Sequence, residues 1–252
     1  MRASAVVIRI FALTLLSTAS FAQEYPRWFL DQGDLPCAGA AVGITATPYY
    51  PDSTGGQGLL LAAENAVRYR AMTISGTMAY FTSEGGGTCV VSSTVTESFD
   101  TALVENAAKS MKLLTSYSSL GLTLVLAGPS GCDVPGQFMR MVRVGRSNTP
   151  SWVTELPPDQ KISYAVGISE PFYYEESSWT EAEKNARLEL ARMAHSRMRG
   201  VDYLQRNDSG VSSGSAIRDE DLGSTTLRGV RVLHRWRNPA NSLFYVLMGT
   251  PR

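Results

Sequence analysis

Ala41-Val42-Gly43-Ile44-Thr45 returns as Ala165-Val166-Gly167-Ile168-Ser169, and each string begins thirteen residues after a tryptophan, Trp28 or Trp152. Working outward, the echoes keep their order. Pro26-Arg27-Trp28-Phe29 precedes the first string as Pro150-Ser151-Trp152-Val153 precedes the second. Pro48-Tyr49-Tyr50 follows the first as Pro171-Phe172-Tyr173-Tyr174 follows the second. Ala62-Ala63-Glu64-Asn65-Ala66 is then answered by Ala182-Glu183-Lys184-Asn185-Ala186. Four ordered matches separated by small insertions read as a tandem duplication. The expected units are residues 23–147 and 148–252, each close to the commonest domain size, with the boundary in the polar turn segment Gly145-Arg146-Ser147-Asn148-Thr149-Pro150.

The second unit displays its elements best. Residues 163–168 read as a short apolar strand. Thr180 with Glu183 forms a capping box, and Ala182, Ala186, Leu190, Met193, Ala194 and Met198 make a stripe at helical spacing that Gly200 ends. A strand near 201–204 follows, with room for one helical turn around 217–222. A hairpin of 227–236 and 243–248 then turns on Arg237-Asn238-Pro239-Ala240-Asn241. The first unit repeats the order, with a helix over 59–72 and strands near 120–127 and 138–144. It adds a second helix, capped by Asp100, with Leu103, Ala107, Met111 and Leu114 on one face. The expected fold class is therefore α+β: two similar small domains, each strand–helix–strand–(helix)–β-hairpin, with helices packed on one face of a sheet.

The first residues, MRASAVVIRIFALTLLSTASFAQ, have a basic start, a short apolar run and small residues at Ser20 and Ala22. They read as a signal peptide of residues 1–22, with cleavage before Gln23. The run is too short to span a bilayer, and no transmembrane segment is expected in the mature chain. A soluble protein secreted across the inner membrane, periplasmic or outer-membrane-associated, follows. In that oxidising setting Cys37, Cys89 and Cys132 make one disulfide and one thiol the simplest arithmetic. Cys37–Cys132 is the expected pair if the strand after Cys37 runs antiparallel to the one before Cys132, leaving Cys89 as a buried thiol; the other two pairings stay open.

Of the 252 residues, 44% are apolar and 18% charged, which excludes a disordered tail. Basic and acidic groups both number 23, and such a balance lacks the electrostatic footprint of nucleic-acid binding. Gly55-Gly56-Gln57-Gly58 sits where a phosphate loop belongs, but Leu61 stands in the third glycine position, so a flexible loop is the simpler reading. Gly210-Val211-Ser212-Ser213-Gly214 matches G-x-S-x-G, and Asp221 and His234 follow in hydrolase order, yet its flanks are polar rather than strand and helix. Asp219-Glu220-Asp221 reads as a solvated acidic loop and His195 as a solvent-facing helix residue. No catalytic, cofactor-binding or metal-ligating set is expected. Tyr49, Tyr50, Phe172, Tyr173 and Trp179, on the loops after each first strand, are the candidates for ligand contact, although two of the four tryptophans, Trp28 and Trp152, are repeat-equivalent and packing against the sheet edge explains them as well.

The order Pro-x-Trp, Ala-Val-Gly-Ile and an Ala- and Arg-rich helix of the Ala182–Arg192 type resembles the LPP-twenty lipoprotein-like family. So does the closing pattern of Leu227-Arg228-Gly229-Val230, Trp236 and Phe244-Tyr245-Val246-Leu247-Met248. The second unit fits from about 149 to 252 and the first more loosely over 26–145. The resemblance implies assembly or cell-envelope roles, flagellar ones included, without catalytic residues. The chain departs from the family in lacking the lipid-bearing cysteine and in carrying two copies. The expected function is a non-catalytic envelope protein acting by self-association or by docking to protein partners; the alternative is a periplasmic binding module for an extended glycan or peptide.

Overall fold

The computed structural model describes residues 23–47, 54–82, 88–119, 121–144, 149–203 and 216–252. The signal segment, Tyr49, Tyr50 and the Gly210–Gly214 string lie outside the described residues. The fold class is α+β, with five helices and several small antiparallel sheets.

In the first half, β1 (Glu24–Pro26) runs into α1 (Arg27–Leu30), a 3-10 turn (Gln32–Asp34) and β2 (Ala41–Thr45). After α2 (Thr54–Arg70) come β3 (Ala71–Thr82), β4 (Thr88–Ser93), β5 (Thr96–Ser98), α3 (Val104–Ser110), β6 (Met111–Ser119), β7 (Leu122–Pro129) and β8 (Met141–Arg143). The second half contains α4 (Ser151–Thr154), β9 (Ile162–Ser169), α5 (Glu175–Tyr203), β10 (Ala216–Arg228), β11 (Arg231–Arg237) and β12 (Phe244–Pro251).

Two three-stranded sheets, β2-β7-β6 and β9-β12-β11, share one pattern. In each, the opening strand pairs antiparallel with the second strand of a hairpin, and one long helix covers a face: α2 on the first sheet, α5 on the second. Glycine makes that cover close. A Cβ on Gly43 would lie 2.0 Å from the Gly58 carbonyl oxygen, and one on Gly167 would lie 1.9 Å from that of Ala182. Gly58 in turn packs against Val125, where a Cβ would meet Cγ2 at 2.3 Å. The glycine-rich string expected as a loop is thus the first turns of α2, and of its glycines Gly58 is the one held in close packing, against β2 and Val125.

The halves are joined by a third sheet. β3 pairs with β10 from Ala71↔Arg228 to Thr82↔Ala216, with an irregularity between Asp221 and Ser224. A single apolar cluster takes residues from both halves, among them Trp28, Phe29, Met72, Ile74, Leu124, Trp179, Leu190, Val232 and Phe244.

Several local expectations give way to this pairing. α5 starts at Glu175, five residues before the expected cap. Thr180 lies inside it and donates its hydroxyl to the Glu176 carbonyl, while Glu175 and Glu176 supply the negative charge the helix N-terminus favours. Residues 201–203 continue α5 rather than opening a strand, and 217–222 belong to β10 rather than to a helical turn. Asp100 caps a 3-10 turn, Thr101–Leu103, accepting from the Ala102 N–H at 3.1 Å; this turn leads into α3, which ends at Ser110. Met111 and Leu114 belong to β6, whose ladder with β7 outweighs their helical spacing. The closing hairpin of the first half is therefore β6–β7, not 120–127 with 138–144; the short β8 pairs with β1 instead.

Cys37 and Cys132 are disulfide-bonded, with Cα atoms 5.6 Å apart. The antiparallel register Ala41↔Ala127 brings the two flanking segments to one end of the sheet. The bond closes a span of 95 residues, for which loop-closure entropy gives roughly 4–5 kcal/mol. Cys89 lies in β4 opposite Phe81, and its side chain is outside the described residues. Among the described residues no helix is long and apolar enough to cross a membrane.

Candidate functional site

The densest polar chemistry lies where the halves meet. β11 carries a bulge between Val232 and His234, so that the buried face passes from Val232 to Arg235 instead of His234. Arg235 is 3% exposed and fully used. Its Nε and Nη2 donate to Glu183 Oε1 at 3.2 and 2.6 Å, its Nη1 donates to the Phe29 carbonyl and to Gln32 Oε1, and its guanidinium lies over the Phe29 ring. Glu183, also buried, accepts the Tyr69 hydroxyl at 2.6 Å on its other oxygen. One turn along α5, Arg187 stands 4.0 Å from Glu183 and makes a bidentate pair with Glu97, both bonds 2.9 Å. Two arginines against two glutamates leave the cluster neutral. Such a set fixes the orientation of α5 against both halves, because moving any member strands a buried charge.

A second node gathers on Glu175. Its Oε1 accepts the Tyr25 hydroxyl at 2.5 Å and the Trp179 indole N–H at 3.2 Å. Its Oε2 accepts from the Gln23 amide and lies 3.6 Å from Arg237. Burial, then the Glu175 charge, pushes the Tyr25 phenol far above the ordinary tyrosine range; burial and Glu183 do the same to Tyr69. Both phenols therefore stay neutral donors.

Trp179 is fully buried, its ring meeting Tyr25, Phe29 and Phe244 at centroid separations of 5.6, 5.2 and 4.8 Å. It has no surface to offer a ligand. Phe172 and Tyr173 behave differently, at 53% and 93% exposure, with Tyr174 at 54%. Tyr173 and Tyr174 meet edge to face at 4.8 Å, and the loop is anchored by the Phe172 N–H, which donates to the Ser178 hydroxyl of α5 at 2.8 Å. This leaves an aromatic surface facing water. A separate cleft of about 590 Å³ opens between the halves beside the disulfide. Leu35, Ala41, Val230 and Val232 form its walls, with Arg70 and Arg231 among its lining; neither arginine has an ion pair among the described residues.

Of the remaining expectations, Asp219-Glu220-Asp221 is strand rather than loop. His195 does not face solvent freely: its Nε2 is buried, with no hydrogen-bond partner among the described residues, and its ring lies beside Gly223. His234 sits on β11 as expected, with Nδ1 3.3 Å from Asp31. The buried cluster escaped sequence reading because Glu183–Arg187 looks like a surface helix pair and Arg235 like a solvated strand charge. No local signal marks Arg235, because plain alternation from the exposed Arg231 would leave it exposed as well.

Compared with known proteins, the chain matches no family model, no curated protein and no solved structure.

Proposed function

We propose that this chain is an exported, non-catalytic component of a cell-envelope assembly, periplasmic or outer-membrane-associated, acting by self-association or by docking to an envelope protein. The observation that carries the proposal is the Phe172-Tyr173-Tyr174 loop, three adjacent aromatic side chains all more than half exposed and tied to the first turns of a long helix. Exposed aromatic rings, tyrosine above all, are frequent anchors of protein interfaces. The disulfide suits an oxidising compartment.

The same proposal includes its origin. The repeated strings, the shared strand pattern of the two three-stranded sheets and the paired glycines Gly43 and Gly167 support a duplicated unit of the LPP-twenty lipoprotein-like kind. The unpaired Arg70 and Arg231 of the cleft favour a second reading, a binding module for an extended peptide or glycan bearing negative charge.

Sedimentation velocity on the mature chain, combined with a deletion strain scored for motility and envelope integrity, tests the first reading. Association that rises with concentration and is lost in a Phe172→Ser, Tyr173→Ser, Tyr174→Ser variant of unchanged circular dichroism supports self-association. A monomer with an envelope defect on deletion supports docking to another protein. A monomer without any envelope phenotype overturns both, and ligand-dependent quenching of Trp152 and Trp236 fluorescence then supports the binding module.

A further inference from the structure

We propose that Asp31, Asp34 and His234 form a site for a divalent transition-metal ion of the zinc class, which clamps the amino-terminal segment onto β11. One ligand atom from each residue lies within 4.8 Å of the other two. His234 Nδ1 and Asp31 Oδ1 are already 3.3 Å apart. Two ligands on one zinc ion, each about 2.0–2.2 Å from it, stand about 3.0–3.5 Å from one another, so this pair needs no rearrangement. Asp34 is exposed and its carboxylate has no hydrogen bond or ion pair among the described residues, which leaves it free to swing onto the ion.

Three independent features place these groups together. The bulge that sends Arg235 into the core turns His234 to the opposite face of β11, towards Asp31. Gly33 lies between the two aspartates, and a Cβ there would stand 2.8 Å from Leu233 Cα; only glycine lets the 3-10 turn approach the bulge this closely. The other oxygen of Asp31, Oδ2, accepts the Arg27 Nε–H at 3.0 Å, an outer contact that orients the carboxylate with Oδ1 towards His234. The imidazole is further held by Trp152, nearly parallel to it at 6.3 Å.

One imidazole nitrogen and two carboxylates suit zinc, nickel or copper ions better than calcium or magnesium, which prefer oxygen alone. Three protein ligands leave a fourth position for water. To bind through Nδ1, the neutral imidazole carries its one ring proton on Nε2, and the ion takes the place of the Nδ1–Oδ1 hydrogen bond. Because the ligands come from both ends of the chain, the ion stabilises the folded state by mass action.

The experiment is calorimetric titration of zinc chloride into the chelator-treated mature protein, with thermal unfolding measured alongside. Asp34→Asn and His234→Gln are compared with the wild type, and magnesium chloride serves as the control ion. One equivalent of zinc should bind and raise the melting temperature, with affinity at least tenfold lower in both variants and no response to magnesium. Asp34→Asn is the decisive variant, since it removes a ligand and no other contact. Absence of zinc binding to the wild type, equal binding by Asp34→Asn, or preference for magnesium would overturn the proposal.

Discussion

Arg235 is held by a carboxylate, a carbonyl, an amide oxygen and an aromatic face, so removing it strands Glu183 with only the Tyr69 hydroxyl and a distant Arg187. Arg235→Met should cost about 3–5 kcal/mol in chemical denaturation, the usual loss when one side of a buried pair is removed. The double variant Glu183→Leu, Arg235→Met should cost less than the single one, because Arg187 and Glu97 remain balanced against each other. Tyr25 and Tyr69 make the complementary prediction at high pH. Their folded pKa values lie above the unfolded value near 10, so their stabilisation is complete below that pH and declines above it, by about 1.4 kcal/mol per unit for each phenol. In an ultraviolet phenolate titration, Tyr25 and Tyr69 should stay silent until the protein unfolds and then ionise together with it.

At the scale of elements, tight glycine seams join helix to sheet. Gly167→Ala places a methyl group 1.9 Å from the Ala182 carbonyl oxygen and 2.3 Å from the Ala186 nitrogen, both backbone atoms that cannot step aside. The cost should reach about 3 kcal/mol or more, read from urea midpoints. Gly56→Ala meets nothing within 4 Å on an exposed position of α2 and should instead stabilise by about 0.5–1 kcal/mol. The elements legible in the sequence were those marked by a short apolar run or a helical stripe: β2, β9, the body of α2 and the Ala182–Leu190 stripe of α5. Local pattern misled where a distant strand decided the outcome. Met111 and Leu114 have helical spacing, yet β7 recruits them as strand. Residues 217–222 carry no strand alternation, yet β3 pairs with them. The site was less legible still, since a bulge at Leu233 chooses which of His234 and Arg235 is buried, and no single-residue preference records a bulge.

Across the whole molecule, the shared core, the β3–β10 ladder and the Glu183–Arg235 cluster tie the two halves into one body. The proposed docking would use its outer surface, where among the described residues the Phe172-Tyr173-Tyr174 loop leaves aromatic area uncovered. The direct measurement is in-cell photo-cross-linking in a bacterium that exports the protein. A benzophenone side chain is introduced in place of Tyr173 in one strain and in place of Leu60, itself 49% exposed on α2, in another. A discrete adduct with a second copy or with an envelope protein should form from position 173 and not from position 60. Equal labelling from both positions, or no adduct from position 173, would contradict docking through this loop.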